Sequence, residues 1–174
     1  MDLSILIVNW NTRDLTVQCL AALAETADRV GADSLEYGPY RAEVIVVDNA
    51  SADDSVAIIR HRFAWVKVIE NNENVGFARG NNLAYAASRG RYVLLLNSDT
   101  RVHAGAMQHL IEFMEAHPQC GAAGARLLNA DGSLQPSCQP MLTPGREFWR
   151  LIFLDAVWPR ATYRMAQWDV KTPR

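Results

Sequence analysis

The chain has 174 residues, 49% of them apolar and 21% charged, which is enough hydrophobic material for about one domain with a buried core and excludes wholesale disorder. Lys and Arg number 17 against 19 Asp and Glu, and the resulting net charge of -2 argues against general nucleic-acid binding while leaving a local nucleotide site open. The three cysteines, Cys19, Cys120 and Cys138, form no CxxC pair, which argues against a disulfide framework or structural zinc and fits reduced thiols in the cytoplasm.

Residues 3–8 are apolar on both faces and read as a buried strand. Asn11 or Thr12 can cap a following helix, in which Leu15, Cys19, Leu23 and Ala27 recur every four residues and Gly31 is the stop. Residues 31–42, with Gly31, Gly38 and Pro39, read as a loop before a second buried strand at 43–47. Ser51 and Asp54 resemble a capping box opening a helix to about Phe63. A third strand at 66–70 is followed by the turn chemistry of Asn71-Asn72-Glu73-Asn74-Val75-Gly76. A helix at 77–89 ends with Gly90 as its C′ residue, and a fourth strand spans 91–96. Residues 104–117 form another helix stopped by Pro118, 121–128 has strand character, and 129–132 is a turn. Thr143-Pro144 opens a last, strongly apolar helix at 147–158. Strands alternating with helices imply an α/β fold, Rossmann-like, with a mostly parallel sheet and helices on both faces.

The apolar runs at 5–8, 44–47 and 93–96 are four residues each, and Met1-Asp2-Leu3-Ser4 lacks the positive start of a signal peptide. A bilayer span needs about 20 residues. The expectation is a soluble, cytoplasmic chain, with peripheral association at the inner face of the membrane left open.

Ligands of open parallel sheets bind outside the carboxyl ends of the strands. Those ends here are Asn9-Trp10-Asn11, Asp48-Asn49-Ala50-Ser51, residues 71–76 and Asn97-Ser98-Asp99, all rich in Asn and Asp. Any one would pass as turn chemistry; four on one edge point to a site. The first turn has no glycine, which removes the GxGxxG phosphate cradle, and neither GxxxxGK[ST] nor GxSxG occurs. His61, His103, His109 and His117 lie in or beside helices without an HExxH arrangement and read as surface or helix-end residues.

Five stretches in order resemble glycosyltransferase family 2. They are Ser4-Ile5-Leu6-Ile7-Val8-Asn9-Trp10-Asn11, Val46-Val47-Asp48-Asn49-Ala50-Ser51-Ala52-Asp53, residues 71–82, Leu94-Leu95-Leu96-Asn97-Ser98-Asp99, and residues 131–138. The last is similar to a stretch of bacterial members described as rhamnosyltransferases. The resemblance covers residues 3 to about 168 and implies a GT-A fold, with a donor-binding domain at 1–130 and the start of an acceptor-side region at 131–174. It implies an inverting enzyme of polysaccharide biosynthesis that takes a sugar from UDP or dTDP to a glycan or lipid-linked acceptor.

The nucleotide-binding positions implied are Val8, Asn9 and Asn11 on the first strand end, and Asp48 or Asn49 as acceptor for the N3–H of uracil or thymine. Gly76 would allow close backbone approach, Arg79 would be a cation for the phosphates or a solvated helix-face residue, and Asn97 and Ser98 would line the diphosphate. Asp99 matches the metal-binding carboxylate of the family's DxD-type motif, for Mg2+ or Mn2+. Asn97 replaces the first Asp of that motif, so one protein carboxylate would hold the metal. No catalytic base is assigned: Asp155 and Asp169 do not match the family's base motif, and the chain is expected to stop, by truncation or as a short gene, about where the acceptor half begins. The alternative is a nucleotide-sugar-binding module without a base. Residues 140–168 are expected to expose apolar surface and mediate self-association, or to lie on a membrane with Arg146, Arg150, Arg160 and Arg164 facing head groups.

Overall fold

The computed structural model describes residues 1–135 and, beyond them, Phe148. The element order is β1 (Leu3–Asn9), α1 (Arg13–Thr26), β2 (Arg29–Val30), β3 (Leu35–Tyr37), β4 (Tyr40–Asp48), α2 (Ser55–Arg62), β5 (Val66–Glu70), α3 (Phe77–Ala86), β6 (Tyr92–Leu95) and α4 (Ala106–Ala116). β4 and β6 flank β1 in parallel, and β5 pairs in parallel with the second half of β4. The first half of β4 pairs antiparallel with β3, and β3 with β2, so the six-stranded sheet is mostly parallel with an antiparallel corner.

The apolar runs of β1 and β4 are buried on both faces because helices cover both. Ile5, Ile7, Val44 and Val46 face the larger core, which Cys19, Leu20 and Leu23 of α1, Ile59 of α2 and Met107 and Ile111 of α4 complete. Leu6, Ile45 and Val47 face the other side, where Ala84 of α3 seals a smaller core. Parallel strands connected by crossover helices bring the carboxyl ends of β1, β4, β5 and β6 to one edge. The α/β class with helices on both faces is therefore as expected from the sequence.

Four local expectations change. α1 stops at Thr26, because residues 29–30 pair with β3 and Thr26 Oγ1 turns back to the Ala22 carbonyl at 2.8 Å. The expected loop at 31–42 holds β3 and the start of β4, joined by a tight turn in which Gly38 has φ +58°. Buried Leu35 and Tyr37 alternate with Glu36, the period-2 pattern of a strand. α3 ends at Ala86, and Gly90 is needed because a Cβ there would fall 2.4 Å from the Ser4 nitrogen of β1. Residues 121–128 form no strand; Leu128 makes a single antiparallel bridge to Leu134 around the turn at 129–132.

The chain divides into two compact units, Met1–Gly124 and Ala125–Arg174. In the second unit, the Asn129 N–H donates to the Ser133 carbonyl at 2.8 Å and Asp131 accepts from the Ser133 N–H at 2.9 Å. The expected helix at 147–158, the association surface at 140–168, the arginines at 146, 150, 160 and 164, and Cys138 lie outside the described residues, apart from the exposed Phe148.

At the edge opposite the strand carboxyl ends, buried Glu43 accepts from Ser4 Oγ at 2.7 Å, the Arg89 N–H at 2.6 Å and Arg89 Nε at 3.1 Å. This clamp ties the chain after α3 to β1 and β4. Burial pushes the Glu43 carboxyl pKa up, but the bonds from Ser4 and Arg89 outweigh it and hold the pKa below its ordinary 4.5. A carboxylate with a lowered folded-state pKa stabilises the fold fully above its unfolded pKa and loses that contribution as pH falls through the folded value. Glu43→Gln is expected to be less stable than wild type at pH 7, with the gap closing as pH falls through the carboxylate range. Urea midpoints from pH 7 to pH 3 measure this; a pH-independent gap would contradict it.

Candidate functional site

β1 and β4 end in register, with Asn9 opposite Asp48. Both side chains are buried, on the face that carries Ile7 and Val46. Asn9 Nδ2 donates to Asp48 Oδ1 at 2.6 Å and to Ser51 Oγ at 3.1 Å. Asn9 Oδ1 accepts from Thr12 Oγ1 at 2.8 Å and Thr16 Oγ1 at 2.7 Å. Asp48 Oδ2 accepts the Ser51 N–H at 2.8 Å. Asn9 thus uses both donors and both acceptor lone pairs, and each Asp48 oxygen is engaged. The sequence placed both residues in a nucleotide site; the structure brings them to the right edge, paired with each other and with the loops.

The β1–α1 and β4–α2 loops are laced together beyond that pair. The Asn11 N–H donates to Ser51 Oγ at 2.9 Å, and Asn11 Oδ1 accepts the Ala52 N–H at 2.8 Å. Asp53 Oδ2 takes the Arg13 N–H at 2.9 Å, while its other oxygen takes the N–H and hydroxyl of Ser55. One carboxylate therefore sits at the first turns of both α1 and α2, where backbone N–H groups lack helical partners. Burial pushes the Asp53 pKa up, and the bonds from Ser55 and Arg13 bring it below the ordinary carboxylate value. The capping box expected from Ser51 and Asp54 does not form: α2 begins at Ser55, Asp54 has φ +58°, and Ser51 binds the β1 loop instead. Asn11 and Ala50 also have positive φ, at 53° and 57°.

On the α3 side of the sheet, Val8 is half-buried beneath Gly80, where an added Cβ would meet Val8 Cγ1 at 3.0 Å. Gly80 is therefore a packing glycine. Asn49 is buried; its Nδ2 donates to the Gly76 carbonyl at 3.4 Å and its Oδ1 accepts from Asn71 Nδ2 at 2.8 Å. A carbonyl oxygen has two lone pairs, so Asn49 Oδ1 retains one acceptor position. Gly76 has φ +82°, which a side chain would strain, and its N–H donates to Asn74 Oδ1 at 2.9 Å. Arg79 lies exposed in the first turn of α3 and makes no ion pair among the described residues.

After β6, Asn97, Ser98 and Asp99 form a turn closed by the Thr100 N–H on the Asn97 carbonyl at 3.1 Å. Asn97 and Asp99 are exposed, and Ser98 is half-buried with Oγ 3.2 Å from Thr12 Oγ1. Buried Cys19 lies beneath this turn, its thiol 3.8 Å from the Asn97 carbonyl and its pKa pushed up to about 12 by burial, so it stays protonated. Among the described residues no three His, Cys, Asp or Glu side chains gather to hold a metal ion. A cation at Asp99 would take one protein carboxylate and draw its other oxygens from phosphate, water or the turn, a donor set that suits Mg2+ or Mn2+.

An open cleft of about 490 Å³ adjoins the edge, lined by Asp48, Ala50, Ser51, Asn71 and the Arg60–Glu70 ion pair (2.5 Å). Sequence reasoning gave no role to Trp10, which stands 54% exposed at the end of β1. Its signal was an indole among Asn residues where a buried strand gives way to a loop. It also missed Thr12, Thr16, Ser51 and Asp53 as loop ties, because their local capping propensity is the stronger sequence signal.

Glycosyl transferase family 2 matches residues 4–155, and the chain belongs to that family. It is similar to the succinoglycan biosynthesis protein ExoO of Rhizobium meliloti, 28% identical over 72% of this chain and 32% of the relative. It is also similar to an N-acetylglucosaminyl-diphospho-decaprenol L-rhamnosyltransferase of Mycobacterium tuberculosis, 25% identical over 71% of this chain and 43% of that protein. The chain thus spans about a third to two-fifths of the length of these curated relatives. The fold resembles S. aureus TarS, solved in complex with UDP-GlcNAc, with a TM-score of 0.56 at 23% identity over 68% of this chain and 32% of that one. It also resembles the mannosyltransferase PcManGT of Pyrobaculum calidifontis, in complex with GDP-Man and Mn2+, with a TM-score of 0.54 at 21% identity over 64% and 32%. These likenesses define a GT-A glycosyltransferase fold. Among the described residues no helix is long and apolar enough to cross a membrane.

Replacing Asn9 by Leu removes two donors and an acceptor from a buried network, strands Asp48 Oδ1 and takes the acceptor from the buried Thr16 hydroxyl. Each stranded buried group costs about 1–3 kcal/mol. Asn9→Leu is expected to lose roughly 3 kcal/mol in urea denaturation; a loss under about 1 kcal/mol would show that the network does not hold the two loops.

Proposed function

We propose that residues 1–130 are the donor-binding part of an inverting glycosyltransferase that uses a UDP- or dTDP-sugar, with residues 131–174 belonging to its acceptor side. The observation that carries this reading is which groups at the edge are left over. Asn9, Asp48, Ser51 and Asp53 are tied to their neighbours, whereas Asp99 and Arg79 are exposed and make no ion pair among the described residues.

In this reading Asn49 Oδ1, held by Asn71, accepts the N3–H of the base at its remaining lone pair. Trp10 offers the base an exposed aromatic face. Arg79 meets the diphosphate with a charge-assisted bond. Asp99 holds Mg2+ or Mn2+, which when bound neutralises charge on the leaving diphosphate. Val8 and Asn11 shape the wall, and Asn9 and Asp48 keep the two loops at their spacing. The acceptor is a glycan or a lipid-linked sugar, met at the cytoplasmic side of the membrane, and residues 140–168 provide the self-association surface.

One observation favours the second reading, a nucleotide-sugar-binding module without turnover. Asp155 and Asp169 do not match the family's base motif, and no residue is assigned that role. Sugar transfer from a UDP- or dTDP-sugar by the chain would remove this alternative, and binding without transfer would favour it.

Calorimetric titration with UDP and dTDP, with and without Mn2+, tests the donor site. Asp99→Ala is expected to abolish the Mn2+-dependent part of binding. Arg79→Ala is expected to weaken binding about tenfold in both conditions, as loss of one charge-assisted bond would. A folded wild-type chain that binds neither nucleotide would overturn the proposal.

A further inference from the structure

Thr12 occupies the N-cap position of α1 yet makes no side-chain cap bond. An N-cap threonine ordinarily accepts a bond from an N–H one turn into its own helix. Here the α1 terminus receives Asp53 from the neighbouring loop instead, through the Arg13 N–H. The Thr12 hydroxyl, released from capping, joins Asn9 Oδ1 at 2.8 Å to Ser98 Oγ at 3.2 Å. A residue that forgoes its local preference for a long-range contact is where local and global demands conflict, and such conflicts gather at functional sites.

The proton count gives this contact a direction. Asn9 Oδ1 can only accept, so Thr12 and Thr16 both donate their single hydroxyl protons to it. Thr12 Oγ1 has then only lone pairs for Ser98, and Ser98 is the donor between them. With its proton committed, Ser98 Oγ is left as an oxygen acceptor. An acceptor oxygen on the residue that precedes Asp99 in the same exposed turn suits a cation or a cation-bound water, and suits a phosphate oxygen poorly. The same α1 face holds the turn a second time, through the protonated Cys19 thiol on the Asn97 carbonyl.

We infer that Thr12 is a positioning residue: by accepting the hydrogen bond of the Ser98 hydroxyl it fixes the turn at 97–100 and presents Ser98 Oγ, with Asp99, to a divalent cation. The inference rests on the proposed donor site and assigns Ser98 to the cation side of it. The outer partners of metal-binding groups typically alter metal affinity 10–100-fold when removed.

The test compares wild type, Thr12→Val, Thr12→Ser, Ser98→Ala and the Thr12→Val/Ser98→Ala double variant. UDP affinity is measured by calorimetry with and without Mn2+, and bound Mn2+ in the presence of UDP by electron paramagnetic resonance. Thr12→Val is expected to weaken Mn2+ binding about tenfold, and by more than it weakens metal-free UDP binding, and Thr12→Ser to restore it. Ser98→Ala, which leaves the Asn9 bonds intact, is expected to give a similar loss and to be non-additive with Thr12→Val. Wild-type Mn2+ affinity in both Thr12→Val and Ser98→Ala, equal losses with and without metal, or additive losses would overturn the inference while sparing the donor site. A wild-type chain that binds no UDP under either condition would remove the donor-site reading and the inference together. If Thr12→Val does not fold, Ser98→Ala decides by the same comparison of metal-dependent and metal-free affinity.

Discussion

The hydrogen bond from Asn9 Nδ2 to Asp48 Oδ1 closes the sheet at the point where its two central strands end. Below it, Ile7 and Val46 are sealed in the core; above it, the chain diverges into two loops. A polar pair in that position must be satisfied completely, because the surrounding dielectric is low and an unpaired amide or carboxylate would be costly. Thr12, Thr16 and Ser51 complete it, and each comes from a loop or helix start that must be correctly placed to do so. The geometry of both loops follows from the need to satisfy two buried side chains.

That requirement accounts for the backbone at the edge. Asn11, Ala50 and Asp54 adopt positive φ without being glycine, at a cost of about 1–2 kcal/mol each. Asn11 recovers some of this through bonds at its N–H and Oδ1, whereas Ala50 has no side-chain polar group with which to do so. Strain of this kind persists where surrounding contacts overdetermine the conformation, and it clusters at functional edges. At the opposite edge Glu43, Ser4 and the Arg89–Gly90 segment fix the end of the chain that follows α3. α3 is thereby anchored at two points, by the Val8–Gly80 contact in its first turn and by the Glu43 clamp just past its end.

The sheet was legible because its central strands are short runs of Val, Ile and Leu that only a doubly covered strand can bury. The β2–β3 corner was obscured by Gly31, Gly38 and Pro39, which serve tight strand connections as readily as loops. The start of α2 was misassigned because Ser51 bonds across to Asn11 instead of capping a helix, whereas α1 does start after Thr12 even though the Thr12 hydroxyl reaches Ser98. A single sequence shows propensity and spacing, and a cross-loop bond leaves no trace in either. For the same reason the order of the site motifs was readable, while the division between buried, mutually paired residues and exposed, uncommitted ones was not. Asn9 and Asn49 are both buried asparagines at strand ends, yet only Asn49 retains an acceptor position.

Amide chemical-shift mapping tests the location of the donor site most directly. On addition of UDP with Mg2+, shifts are expected at residues 8–11, 49–53, 71–80 and 97–100, with the Ser4, Glu43 and Gly90 amides at the far edge unmoved. Perturbations centred on that far edge, or none in a folded chain at millimolar UDP, would contradict a donor site at the strand carboxyl ends.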